Sequence, residues 1–168
     1  MINRFLISGG AGFIGSNLVD LLSEESRVVV VDDLSTGKLG NLAESIENIE
    51  FIEARVEEVD LNTIGNIDGV IHLAAQASVP ISISEFKKSS TSNLLGSINV
   101  LDFCIRQKIP LVYGSSSAIY GNLPLGDDED ENLDLLSPYA GDKYAMEVYA
   151  KLAHEVYELT SVGLRFFN

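Results

Sequence analysis

Apolar residues fall along the chain in short continuous runs separated by longer amphipathic stretches. Phe5-Leu6-Ile7, Val28-Val29-Val30-Val31, Val70-Ile71 and Leu111-Val112-Tyr113 are near-unbroken apolar runs, the pattern of strands buried on both faces of a parallel sheet. Ile49-Glu50-Phe51-Ile52 alternates, as a short strand nearer the sheet edge does, and Ser161–Phe167 reads as a sixth strand. Between the strands, Ile14, Leu18, Leu21 and Leu22 recur at helical spacing. A short helix is predicted over 57–64 and a long one over 85–108, with Leu94, Ile98, Leu101 and Ile105 as its apolar stripe. Another begins at Ser137-Pro138, with proline in its first turn and Ala145, Val148, Leu152, Val156 and Leu159 predicted to face the core. Six strands alternating with helical segments imply an α/β fold, a doubly wound parallel sheet with helices on both faces. Residues 1–168 read as one domain.

The first strand runs directly into Gly9-Gly10-Ala11-Gly12-Phe13-Ile14-Gly15. Glycines at intervals of three suit a strand-to-helix turn that binds a pyrophosphate. Gly9 permits the tight turn, Gly12 lets backbone approach the anion, and Gly15 lets helix pack on strand. The helix N-terminus adds unpaired N–H groups and partial positive charge. The second strand ends on Asp32, a carboxylate placed to accept ribose hydroxyls and to repel a 2′-phosphate, which favours NAD over NADP. Asp33–Lys38 is a polar loop beside that ribose.

Charge and composition narrow the partners. A net charge of −14 argues against nucleic acid and anionic membrane as partners. No apolar run is long enough to span a bilayer. Cys104 is the single cysteine, so no disulfide framework or multi-cysteine metal site is predicted, no metal is assigned, and a cytoplasmic setting is expected. The acidic run 127–131 reads as a solvated loop, and His72, inside an apolar strand, as a packed core histidine rather than a catalytic one.

Chemistry concentrates at the carboxyl ends of the strands, where ligands bind in open α/β sheets. Tyr139 and Lys143 are four apart on one helix and share a face. An ammonium near a phenol favours phenolate. Ser116, at the end of the neighbouring strand, can hydrogen-bond the same substrate hydroxyl. Beside a nicotinamide, these three side chains can remove a hydroxyl proton while hydride leaves the same carbon.

The chain resembles the extended short-chain dehydrogenase/reductase family, in its nucleotide-sugar epimerase/dehydratase branch, over its whole length. The resemblance rests on the glycine turn, on Asp32-Asp33-Leu34-Ser35-Thr36-Gly37 and His72-Leu73-Ala74-Ala75-Gln76-Ala77, and on Ser115-Ser116-Ser117-Ala118-Ile119-Tyr120-Gly121. Ser137-Pro138-Tyr139 with Lys143, and Leu164-Arg165-Phe166-Phe167-Asn168, complete it. It implies a Rossmann domain holding NAD, with Tyr139 as base, Lys143 gripping the nicotinamide ribose and Ser116 orienting a sugar hydroxyl. Phe13, Ile14, Asp32, Asp33, Ser35, Val56, Leu73, Ala74, Ala75, Asn93 and Phe166 match cofactor-lining positions. Ser78 and Ser117 are expected beside the sugar, and Asn168 against the nucleotide-sugar.

Dehydratases of this branch resemble Thr-Asp-Glu where this chain has Ser117 and Ala118 at the acidic positions, so a UDP-hexose 4-epimerase, for glucose/galactose or their N-acetyl forms, is favoured. The alternatives are a non-catalytic dinucleotide-binding module, or a nucleotide-sugar dehydratase or reductase of the same family. Where the family has an aspartate for the adenine amine, this chain has Arg55, which cannot accept from it. Family members continue well beyond this length, so the chain is expected to be the cofactor-binding part without the substrate-closing part. The resemblance also implies a homodimer through the two long helices.

Overall fold

The computed structural model describes residues 2–123 and 132–167, so Asn168 and the acidic run 127–131 lie outside the described residues. Six strands, β1 (Arg4–Ser8), β2 (Arg27–Asp32), β3 (Ile49–Glu53), β4 (Gly69–His72), β5 (Leu111–Ser116) and β6 (Ser161–Phe166), form one sheet in the order β3-β2-β1-β4-β5-β6. All five pairings are parallel. The order reverses between β1 and β4, so the crevice where ligands bind such sheets opens beyond Ser8 and His72. Val28, Val29, Val30 and Val31 are all buried, as the unbroken run requires of a strand covered on both faces.

Two apolar layers sandwich the sheet. One gathers Ile7, Ala11, Val19, Val28, Val30 and Leu42 under α1 (Phe13–Ser23). The larger contains Leu6, Val29, Val31, Val100, Phe103, Cys104, Leu111, Tyr113, Met146 and Ala150. It lies beneath α4 (Gly96–Gln107) and α5 (Pro138–Tyr157). In α1 it is Val19, with Leu18 and Leu22 partly buried, that makes the contact, while Ile14 and Leu21 face outward.

The helix predicted over 85–108 is not one regular helix. It begins earlier, as α2 (Val79–Ser84), breaks at Glu85, resumes as α3 (Phe86–Ser90), and passes through a π-helical turn, Thr91–Leu95, into α4. Such turns insert a residue into the helical ladder and re-aim side chains. Here the turn aims Asn93 inward, where its amide bonds the backbone of Gln76. The predicted stripe shifts with it: Leu101 is buried and Leu94 and Ile105 are partly so, but Ile98 is exposed. The helix expected over 57–64 reduces to a 3-10 turn, Leu61–Ile64, capped by Asp60.

The buried face of α5 also differs from the expected one. Tyr139, Lys143, Met146, Ala150 and Ala153 turn inward, whereas Val148, Leu152 and Val156 are exposed and, of the predicted face, only Leu159, beyond the helix end, is buried. Alanines along the inner stripe let the helix lie close on β5 and β6, and the bulkier aliphatics, two positions out of phase, are carried to the opposite side.

Candidate functional site

The turn from β1 into α1 is fixed by packing that only glycine permits at two positions. Gly9 has φ +75°, and a Cβ there would stand 2.5 Å from Ala74 N. A Cβ on Gly15 would run into Gly9 O, so α1 rests directly on the turn. Gly9 N donates to Val31 O (2.8 Å), and Gly12 caps α1, its carbonyl accepting from Ser16 N (2.9 Å).

Ala11 ties this turn to its neighbours. Its N–H donates to Asp32 Oδ2 (2.9 Å), and its carbonyl accepts from Lys38 N (3.1 Å) and Asn41 Nδ2 (2.8 Å). Asp32 Oδ1 accepts from Leu34 N (2.9 Å). Asp32, a residue 7% exposed, thus shapes two loops through its carboxylate while lining the groove beyond them.

That groove, of about 460 Å³, runs along the carboxyl edge of the sheet. Of the residues predicted to line a cofactor, Gly9, Gly12, Asp32, Asp33, Ser35, Val56, Leu73, Ala74 and Ala75 do line it. Phe13 and Ile14 sit exposed at the start of α1, and Gly15 is buried beneath the turn. Asn93 is buried and acts through the loop above it: its Oδ1 accepts from Gln76 N (2.8 Å) and its Nδ2 donates to Gln76 O (3.2 Å). Phe166 lies at the end of β6, its ring close against Gly114. Thr36, Arg55, Glu57, Ile81 and Lys88 also line the groove; of these the sequence pointed to Thr36, in the loop beside the ribose, and to Arg55, as a departure.

Tyr139, Lys143 and Ser116 are brought to the end of β5, outside the groove's own lining. Lys143, 8% exposed, donates from Nζ to Gly114 O (2.6 Å), two residues before Ser116, and its ammonium lies 5.9 Å from the Tyr139 ring centroid. Burial pushes the Lys143 ammonium down to about 8, while the neighbouring Asp142 opposes that fall. Asp142 is itself held up by burial, and its Oδ2 accepts from Ser90 Oγ (3.1 Å) and Asn93 Nδ2 (3.4 Å). Ser116 Oγ accepts from Ala118 N (3.1 Å) at the start of the 3-10 turn Ser117–Tyr120, which carries Ser117. Ser78 caps α2 through Ile81 N (3.4 Å).

The expectation for His72 holds. Its Nδ1 lies 2.6 Å from Ser8 Oγ and its Nε2 3.3 Å from Ser97 Oγ, and burial, with Lys143 nearby, pushes it down to about 3. The imidazole is a neutral rivet between β1, β4 and α4.

A clamp that the sequence reading assigned no role completes the site's floor. Arg165 on β6 donates to Glu147 Oε1 (2.9 Å) and Oε2 (2.6 Å), and Ser115 Oγ donates to Oε1 of the same carboxylate (2.5 Å). Arg165 also lies 4.8 Å over the Tyr120 ring, which stacks on Phe167. Glu147 stands one turn after Lys143, a spacing visible in the sequence but indistinguishable there from a solvated helix acid.

The site fits a dinucleotide. A glycine cradle opens at a helix N-terminus, a carboxylate stands at the adjoining strand end, and the groove continues past it to Val56, Arg55 and the buried Glu57 Oε1, which accepts no hydrogen bond. Among the described residues no group of His, Cys, Asp and Glu is arranged to hold a metal ion, and no helix is long and apolar enough to cross a membrane.

Known proteins resemble this chain in sequence and fold. A putative UDP-glucose 4-epimerase of Methanocaldococcus jannaschii is 37% identical over 172 residues, covering 97% of this chain and 55% of the relative. The structure of a UDP-N-acetylglucosamine 4-epimerase from Methanobrevibacter ruminantium, in complex with UDP-N-acetylmuramic acid, superposes with a TM-score of 0.92 at 39% identity, covering all of this chain and 56% of that one. A Thermus thermophilus UDP-glucose 4-epimerase in complex with NAD gives 0.84 at 36% identity, covering 96% and 54%. The chain thus spans about half the length of the relatives it matches. The family model of NAD dependent epimerases and dehydratases matches residues 5–168, from the first strand through the glycine turn, Asp32 and the Tyr139–Lys143 helix, and the chain belongs to that family.

Proposed function

We propose that this chain is the NAD-binding part of a nucleotide-sugar 4-epimerase acting on a UDP-hexose. The observation that carries the reading is the convergence of Tyr139, Lys143 and Ser116 on the end of β5, beside a groove whose glycine turn and Asp32 suit a dinucleotide. NAD, when bound, supplies the chemistry of taking up a hydride from C4 of the sugar and returning it.

The chain's own residues do the rest. Gly9 and Gly12 leave room for the pyrophosphate, and the spare lone pairs of Asp32 accept the adenosine ribose hydroxyls. Tyr139 holds and returns the proton of the 4-hydroxyl, and Ser116 orients that hydroxyl. Lys143, anchored on Gly114, places its ammonium against the nicotinamide ribose and beside Tyr139. Phe13, Ile14 and Phe166 complete the cofactor walls, while Ser78 and Ser117 meet the sugar. Ser117 and Ala118 bring no carboxylate to the strand end, which supports epimerisation over dehydration.

The exposed Ile98, Val148, Leu152 and Val156 support pairing of two copies through α4 and α5. The single buried Cys104, whose thiol burial pushes up to about 12, suits a reducing, cytoplasmic location.

The test is NAD content after denaturing release, followed by calorimetric titration of the chain. Retained or tightly titrating NAD is expected. UDP-galactose and UDP-glucose are then offered to a longer chain carrying Tyr139→Phe or the natural residue. Interconversion by the natural chain and its loss in Tyr139→Phe is the expected result. Accumulation of a 4-keto-6-deoxy sugar would replace epimerisation by dehydration, and no binding of NAD would refute the reading.

A further inference from the structure

At the outer end of the groove, just past β3, two buried polar atoms lack hydrogen-bond partners. Glu57 Oε1 and Arg55 Nε are each closed to solvent without a hydrogen bond. Arg55 Nη2 stands 2.9 Å from Glu57 Oε1, so the two are ion-paired, but out of hydrogen-bond alignment. The Glu57 side chain is 4% exposed and that of Arg55 40%. The carboxylate is therefore fixed in the wall and the guanidinium is the movable member. The other contact of Arg55 is a looser one, Nη1 to Glu58 Oε1 at 3.7 Å. An ion pair out of hydrogen-bond alignment leaves the hydrogen-bonding capacity of both groups unused, and a ligand that brings an aligned donor and acceptor can take it up as the guanidinium turns away.

Strand register says which part of a ligand would arrive there. Asp32 pairs with Glu53, and Ala54 N donates to Asp32 O (3.1 Å). Residues 55–57 therefore stand one step beyond Asp32, on the side away from Gly9 and Gly12. A dinucleotide with its pyrophosphate on the glycine turn and a ribose at Asp32 has only its base left to reach them. Adenine presents an exocyclic amine, a donor, next to a ring nitrogen that accepts. Glu57 Oε1 and Arg55 Nε–H are the complementary acceptor and donor.

We infer that Arg55 and Glu57 form the adenine-recognising pair of this chain: the Glu57 carboxylate accepts from the exocyclic amine as the Arg55 guanidinium turns off it, and Arg55 Nε donates to the adjacent ring nitrogen. The acceptor that Arg55 cannot be is supplied two residues later, with the arginine as its counter-ion. Val56 between them, buried against the helix start at Gly96, holds the segment in place.

The inference rests on the NAD reading, and a ligand comparison separates the two. The 168-residue chain is titrated calorimetrically with NAD and with nicotinamide hypoxanthine dinucleotide, in which a carbonyl oxygen replaces the amine and would face the Glu57 carboxylate acceptor to acceptor. The natural chain is expected to prefer NAD by about tenfold or more. In Glu57→Gln, whose amide can turn its NH2 toward the carbonyl, the preference is expected to fall below about threefold. Arg55→Lys keeps the charge but loses the Nε donor, and is expected to weaken NAD about threefold or more. Equal affinity of the natural chain for both dinucleotides overturns the inference without any variant and leaves the NAD reading standing. A preference of about tenfold surviving in Glu57→Gln, or unchanged NAD affinity in Arg55→Lys, also overturns it. Failure of the natural chain to bind either dinucleotide overturns both.

Discussion

Replacing Asp32 separates its work in the fold from its work on a ligand. In the chain alone its two oxygens already hold Ala11 N and Leu34 N, each at 2.9 Å, and the residue is 7% exposed. Asp32→Ala leaves both N–H groups without their acceptor. A hydrogen bond to a charged group contributes about 1.5–3 kcal/mol net. The Ala11 bond is buried and carries its full value, whereas water can reach Leu34, so the combined loss is about 3–4 kcal/mol. Asp32→Asn keeps one carbonyl acceptor but turns an NH2 on the other donor, for a loss of about 2 kcal/mol. Urea unfolding followed by far-ultraviolet circular dichroism, without ligand, reads this directly. With a slope of about 2 kcal/mol per molar urea, the midpoint should fall by about 1.5–2 M in Asp32→Ala and by about 1 M in Asp32→Asn. A midpoint in Asp32→Ala within about 0.3 M of the natural chain would refute the structural role and make any loss of NAD affinity a pure ligand effect.

Other parts of the molecule carry their own expected outcomes. His72 is pushed down to about 3 from its ordinary 6.5, so between those values the unfolded chain binds the extra proton. Its contribution is complete above pH 6.5 and is lost as pH falls toward 3, and His72→Gln should flatten stability across that window in urea midpoints at stepped pH. Glu147→Ala strands Arg165 and Ser115 in a partly exposed clamp, and should cost about 2–3 kcal/mol, or about 5–10 °C in calorimetric melting, with Glu147→Gln losing about half as much. Leu152→Glu, on the exposed face of α5, should leave the melting temperature within about 2 °C and abolish any self-association in sedimentation velocity.

What could be read in advance was local. The glycine turn, Asp32 and the paired Tyr139 and Lys143 are sequence-adjacent chemistry on elements whose hydrophobic pattern is strong, and β1, β2 and β4 supply that pattern without ambiguity. The inner face of α5 was not legible. Its stripe is built from Ala150, Ala153 and Met146, which signal burial less strongly than the exposed Val148, Leu152 and Val156 beside them. The π-turn at Thr91–Leu95 leaves no periodic mark, because one added residue in a helix shifts the phase without changing composition. The Arg165–Glu147–Ser115 clamp joins three elements far apart in the chain, and the burial of the segment at Val56 and Glu57 depends on a neighbour, Gly96, that only the fold supplies.

Ala11 has a side chain too small to recognise anything, yet its backbone ties the glycine turn to two other segments: its N–H is held by Asp32 at the end of β2, and its carbonyl by Lys38 and Asn41 in the loop that follows. A loop is ordinarily the first part of a domain to open, and a ligand that needs it must bear the entropy of closing it. Here that ordering is done during folding. The Ala11 amide should therefore exchange its hydrogen as slowly as one in the central strands, in a stretch with no ladder of its own. A dinucleotide would find the turn already set, and its arrival rate should depend on diffusion and charge rather than on a waiting time for the loop.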